Sequence, residues 1–433
     1  MARSNSRWQS QAFKARLRRR NASERRFRIL GISAVLLAGA ALSLLLVSVI
    51  SNGYRAAYRA EIELDVYFDA DLLGIDRSAP GASLEIPASA DFRAVLRAAL
   101  VERFPDTEGR SAIRELTALL SRGAAAELAD RLRAEPELLG QHARVWVPAS
   151  DDVNSLLAIE ERTSGTEFTT RLSDQQVARV ETLAADGQLK SHFNGRFFSA
   201  GDSREPELAG IGGALVGSAL TILVVLVVSF PLGVAAAVYL EEFAPDNIST
   251  RLLEININNL AAVPSIVFGL LGLAVFLGFF GMPRSAPVVG GLTLALMTFP
   301  VIIIASRAAI AAVPSWIRES ARGLGASPVQ VVAHQVLPLA MPGILTGTLL
   351  GLARAMGETA PLLMIGMVAF IVDVPTGFTD AASALPVQIF LWADSPERGF
   401  ADKVSGAILV LLILLGLLNG AAFLLRQRFE NRW

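Results

Sequence analysis

Apolar and polar residues follow three different rhythms along this chain, and the rhythms divide it. Ile29 to Ile50 is an unbroken apolar, uncharged run of 22 residues. As a helix it would reach roughly 33 Å, enough for a bilayer core. A cleaved signal peptide has a shorter apolar stretch of about 7–15 residues, so the run reads as an uncleaved anchor with its amino end inside. Beyond it, residues 51–208 switch to the patterns of a folded external domain. Ile62, Leu64, Val66 and Phe68 alternate with Glu63, Asp65 and Tyr67, which predicts a half-buried strand. Phe92, Val95, Leu96, Ala99 and Leu100 share one helical face, and Ile113, Leu116, Leu119 and Leu120 repeat that spacing. Val145-Trp146-Val147, stopped by Pro148, suits a short strand. Ser173 with Gln176 is a capping-box signal ahead of Val177, Val180 and Leu183. The expectation for residues 51–208 is an α+β domain.

From residue 209 the apolar runs lengthen again, over about 210–240, 255–280, 287–312, 343–371 and 404–425. With the first anchor they make six spans, a mainly α polytopic membrane protein with both termini inside and the α+β domain inserted outside. The expected division is a basic tail (1–28), a first span (29–50), an external domain (51–208) and a membrane block (209–433) with an inner loop at 313–342.

Charge supports that orientation. The net charge of −1 hides a segregation: residues 1–28 hold ten Lys/Arg against one acid, while 51–208 hold eighteen bases against twenty-seven acids. Basic residues beside a span mark the cytoplasmic side, and the tail is suited to anionic lipid. No aromatic framework accompanies the arginines, so no nucleic-acid partner is expected. Arg318, Arg322, Arg426, Arg428 and Arg432 agree with the topology. The 241–254 loop runs against it, because Glu241, Glu242, Asp246 and Glu254 outnumber Arg251. Acids count little in orientation. Tyr239, Glu241 and Glu242 read as the interfacial end of a span.

The chemistry is sparse. There is no cysteine, and His142, His192 and His334 lie far apart, so no thiol nucleophile and no metal-ligand spacing is offered. A P-loop needs Gly-Lys, yet the three lysines, Lys14, Lys190 and Lys403, follow Phe13, Leu189 and Asp402. Any ATP must be used by a separate chain, and no cofactor is expected on this one. Two charges stand out: Arg354 and Glu358, inside the apolar run from Gly343 to Ile371. A charge at the centre of a span costs about 2.5–3.5 kcal/mol on insertion scales. Four residues apart, the two share a helix face and can pair. Pro361 leaves the carbonyl of Gly357 without its helical donor. The pair therefore sits beside a weakened turn, lining a substrate route or holding neighbouring helices together. Arg307 faces the same route or snorkels to the inner headgroups; the residues leave both open.

The stretch Glu319–Pro338 is the most specific signal. A short helix to Leu324, a turn at Gly325, then Ser327-Pro328 opening a second helix make a rigid two-helix loop, ended by Leu337-Pro338 and Pro342-Gly343. Glu319, Ser320 and Ala321, then Gly325, and finally Leu337-Pro338 match the spacing of the cytoplasmic loop of ABC importer permeases, with Ser320 and Gln335 departing from the family's Ala and Ile; these residues and Ala326 are the expected ATPase-coupling residues. The run Asn258 to Leu270 and the run Arg354 to Leu363, with Thr359-Ala360-Pro361 after Gly357-Glu358, resemble phosphate permeases of the PstA type. Phe197 to Glu207 resembles that family's junction to an extra external domain.

The resemblance implies an ABC importer permease fold. It implies three partners: an ATPase dimer docked on the 313–342 loop, a second permease of the PstC type, and a periplasmic phosphate-binding protein. It implies a bacterial inner-membrane location with residues 51–208 periplasmic. Arg354, Glu358, Thr359 and Arg307 are then the expected pathway residues. A guanidinium suits this cargo, offering paired donors to an oxyanion and staying charged when buried. The alternatives are a permease for molybdate or sulfate, and a membrane sensor signalling through the external domain.

Overall fold

The computed structural model describes residues 11–75, 86–87, 89–160, 171–397 and 399–429. The chain forms two compact units, Met1–Asn52 and Gly53–Trp433. In the first, the Gln11–Gly53 helix carries the anchor. Leu30, Val35, Leu36, Leu37, Leu44 and Val47 are all exposed on it. A helix apolar all round is suited to lipid.

In the second unit, the alternating run becomes β1 (Tyr58–Tyr67), the centre of a three-stranded antiparallel sheet with β2 (His142–Pro148) and β3 (Leu189–Phe193) on either side. The register sets Leu64 opposite Val145 and Ile62 opposite both Val147 and Leu189. The period of two puts Ile62, Leu64, Val66 and Phe68 on the buried face. The Phe92–Arg103 helix covers that face with every apolar residue of its expected stripe. Leu116, Leu119 and Leu120 join the same core. The capping box forms as expected: the amide of Gln176 donates to Ser173 Oγ, and the amide of Ser173 donates to Gln176 Oε1.

Among the described residues, five helices are long and apolar enough to cross a membrane: Leu17–Ala57, Gly212–Phe243, Pro287–Ala311, Pro328–Gly357 and Phe400–Arg428. A sixth crossing is present if the pair Ile248–Ala261 and Ser265–Phe279, bent by 100°, is one span. The bend corrects the expected straight run at 255–280. Val263 precedes Pro264, which disfavours helical backbone at Val263, and Pro264 itself is extended at ψ 138°.

The expected span at 343–371 also moves. The helix that opens at Pro328 does not stop at Leu337-Pro338 or Pro342-Gly343; it passes through a π turn at Val332–Val336 into Leu337–Gly357. A proline in a regular helix clashes with the carbonyl four residues back. The wider turn relieves that clash and leaves Pro338 in the first turn of the next segment. Gly343 and Gly347 then lie against Ala309 and Ala305 of the Pro287–Ala311 helix, the small-residue contact that lets membrane helices approach closely. The segment 372–403, between the last two expected spans, contains a helix of its own, Leu385–Ala393, with Leu385 and Trp392 buried. Its short apolar run gave no span signal.

The junction between sheet domain and spans is tightly built. Phe197 is buried, Gly201 sits against the backbone of Val372, and Trp392 Nε1 donates to Asp202 Oδ1 at 2.8 Å. Lys403, at the start of the last span, donates to the carbonyl of Ala56 at 3.2 Å and lies 4.8 Å from the Phe197 ring centre.

Candidate anion pathway and docking turn

The helix carrying Arg354 ends at Gly357; Glu358 is already extended (φ −82°, ψ 119°), and Thr359 leads into a short helix, Ala360–Met364. Arg354 is therefore in the last turn of its helix, not at the middle of a span. That places its cation where helix carbonyls are unsatisfied. Arg354 Nε lies 3.6 Å from Glu358 Oε1, with the side chains 49% and 22% exposed. Thr359 is half-buried beside them.

Close packing fixes the break. Gly269 stands against Pro361: a Cβ there would come 2.8 Å from the Pro361 Cα and 2.9 Å from the Met364 Cβ. The two runs that resemble the phosphate permeases, far apart in sequence, thus meet at this contact. Arg307 is not part of this arrangement. Its Nε donates to Glu241 Oε2 at 3.2 Å and its Nη2 to Glu254 Oε1 at 2.8 Å. It sits between Ile303 and Ile310, which pack with Val313 and Val331 at the loop end of the spans. It ties three helices together.

The loop forms the two helices expected, Ser315–Gly323 and Pro328–Val331. Gly325 has φ +88°. Its amide donates to the carbonyl of Arg322 at 2.9 Å, and that of Ala326 to Ala321 at 3.1 Å. These two bonds are a Schellman ending, which explains the spacing Ala321, Gly325, Ala326. Ala321, Ala326 and Leu337 pack inward with Ile317. Glu319, Ser320 and Pro338 face outward, beside exposed Trp316 and Leu324, the latter 91% exposed. Ser327 and Gln330 close a second capping box. The turn is rigid from behind and apolar in front.

Sequence reasoning missed what holds this turn to the spans. Arg318 Nε and Nη2 both donate to Glu242 Oε1, at 2.9 and 2.7 Å, and its Nη groups also reach the carbonyls of Val313 (2.6 Å) and Ile310 (2.9 Å). Glu242 is only 5% exposed. Three of the four acids that contradicted the charge pattern at 241–254, Glu241, Glu242 and Glu254, are thus the partners of Arg307 and Arg318. Their surplus, facing two arginines otherwise unaccounted for, was the available signal. Leaving one member of a buried pair alone costs about 3–5 kcal/mol, whereas replacing both by apolar groups is tolerated. Glu242→Ala should lower the unfolding temperature of the purified chain by several degrees, and Glu242→Leu with Arg318→Met should recover most of that loss. Equal thermal stability of Glu242→Ala and the unmodified chain would remove the strut.

Residues 229–433 match a family described as the binding-protein-dependent transport system inner membrane component. Residues 14–164 match a domain of unknown function, DUF3333. The phosphate transport system permease protein PstA 1 of Mycobacterium tuberculosis is 35% identical over 217 residues, 50% of this chain and 70% of its own length. PstA of Yersinia pestis is 32% identical over 210 residues, 48% of this chain and 70% of its own. Among solved structures, the inward-facing MetNI methionine ABC transporter covers 51% of this chain and 96% of its own at 19% identity and a TM-score of 0.40. Identity at this level, over 70% of the relatives' own length, decides the assignment: the chain belongs to the PstA family of phosphate transport permeases.

Proposed function

We propose that this chain is the permease subunit of an ATP-driven importer that carries inorganic phosphate across the bacterial inner membrane. Both termini face the cytoplasm and residues 51–208 face the periplasm. A periplasmic phosphate-binding protein delivers the anion, a second permease of the PstC type completes the pathway, and a separate ATPase dimer binds and hydrolyses the nucleotide. The observation that carries this reading is the docking turn: an outward apolar edge at Trp316 and Leu324, stiffened by Gly325 and backed by Arg318 and Glu242. Force applied there passes directly into the Pro328–Gly357 helix, which has Arg354 near its far end. Arg354, Glu358 and Thr359 line the route, and Arg307 transmits load rather than touching the anion.

Reconstituted with an ATPase and a second permease, the chain should support uptake of labelled phosphate that is competed by unlabelled phosphate and little by sulfate or molybdate. Equal competition by sulfate or molybdate would replace phosphate as the cargo.

A further inference from the structure

A cavity of about 640 Å³ lies where the sheet domain meets the segments leading into the spans. Both signs of charge line it. Five arginines, among them Arg93 and Arg97 from the Phe92–Arg103 helix, Arg114 from the Arg110–Thr117 helix and Arg122, share the lining with five acids, among them Asp151 and Glu207.

Three features separate this from an ordinary solvated surface. Arg93 and Arg97 are four residues apart on one helix, a like-charge spacing that destabilises. Neither they nor Arg114 have an ion-pair partner among the described residues, although residues 51–208 hold more acids than bases. Only Arg122 is paired, to Glu205 at 3.0 Å. Finally, Glu207 is 5% exposed and its Oε2 has no hydrogen-bond partner among the described residues. A buried oxygen of that kind costs free energy until a donor reaches it.

We infer that this cavity binds a phosphate group bearing a hydroxyl or ammonium substituent, with Arg93, Arg97 and Arg114 on the phosphate and Glu207 on the substituent. Three guanidiniums supply the fork-like donors that suit a phosphate dianion. The volume lies in the range of small-molecule sites, about 300–1,000 Å³, and leaves room for more than inorganic phosphate. Burial pushes Asp151 up to about 7, with Glu207 and Asp152 adding to the rise, and it holds Glu207 above the usual carboxylate range. These two acids therefore repel an anion less than their formal charges suggest. The site also touches the transport machinery: Asp151 Oδ2 accepts from the amide of Gly399 at 3.1 Å, next to the start of the last span.

The test uses the full chain in phosphatidylcholine nanodiscs, titrated calorimetrically at pH 7 with glycerol 3-phosphate and with inorganic phosphate. Glycerol 3-phosphate should bind saturably and at least about tenfold more tightly than inorganic phosphate, the loss expected when one charge-assisted hydrogen bond is removed. Arg93→Ala with Arg97→Ala should weaken binding at least as much, and Arg114→Ala likewise. These arginines are exposed, so the variants should fold, with thermal unfolding as the check. Arg354→Ala should leave glycerol 3-phosphate binding intact, which keeps this site separate from the import pathway. Adding phosphatidylethanolamine to the nanodiscs identifies the source: competition with glycerol 3-phosphate assigns the site to a lipid headgroup, and no competition to a soluble ester. Binding that is absent, or unchanged in the Arg93→Ala, Arg97→Ala chain, overturns the inference.

Discussion

Replacing Arg354 by lysine is expected to cut phosphate uptake by about tenfold or more at unchanged expression. Two interaction strengths set the size of the effect. The contact between Arg354 and Glu358 is 3.6 Å long and half open to its surroundings, and exposed pairs of this kind are worth about 0–1 kcal/mol. An arriving anion can therefore displace the carboxylate at little cost. Charge-assisted hydrogen bonds from a guanidinium to an oxyanion are worth about 1.5–3 kcal/mol each. Lysine keeps the charge and loses the planar fork, so at least one such bond goes, and 1.4 kcal/mol is a factor of ten. Glu358→Gln should behave differently. It keeps the shape and removes the charge that accepts a proton-bearing phosphate oxygen, so uptake should persist while discrimination against sulfate falls. Measured uptake and phosphate-to-sulfate selectivity at unmodified values in both variants would take Arg354 out of the pathway.

How far the sequence reaches depends on how local the physics is. The sheet domain was legible because a period of two and a helical stripe each report burial within ten residues; Ile62 to Phe68 and Phe92 to Leu100 are buried as their spacing requires. The docking turn was legible for the same reason, since its Schellman ending spans only Ala321 to Ala326. Prolines were the main source of misplacement. Pro338 and Pro342 read as stops, but a π turn and the first-turn position of Pro338 carry the helix past them. Pro264, which read as part of a span, bends it by 100°. Least legible were the pairings through space. Arg318 with Glu242 and Arg307 with Glu241 and Glu254 join residues 53 to 76 positions apart, and no local pattern encodes which acid meets which arginine. The same distance hides the contact of Gly269 with Pro361, so two recognisable runs gave no hint that they touch.

The second large effect belongs to Gly325, and its cause is backbone conformation alone. A Cβ at this position would meet nothing within 4 Å, but the residue sits at φ +88°. Holding a non-glycine residue in such a region costs about 1–3 kcal/mol, and a β-branched side chain makes it a genuine outlier. Gly325→Val should open the Schellman ending, free the Ser315–Gly323 helix from Ala326, and reduce ATPase stimulation by the reconstituted complex about tenfold, the equivalent of 1.4 kcal/mol. Substrate-side binding should be untouched. Asparagine tolerates positive φ far better than valine, so Gly325→Asn should retain most of the stimulation although its side chain is of similar bulk. That contrast separates backbone strain from obstruction of the docking edge. If valine and asparagine impair stimulation equally, bulk at the surface is responsible and the turn is not a strained hinge; if neither impairs it, force does not enter the spans through this loop.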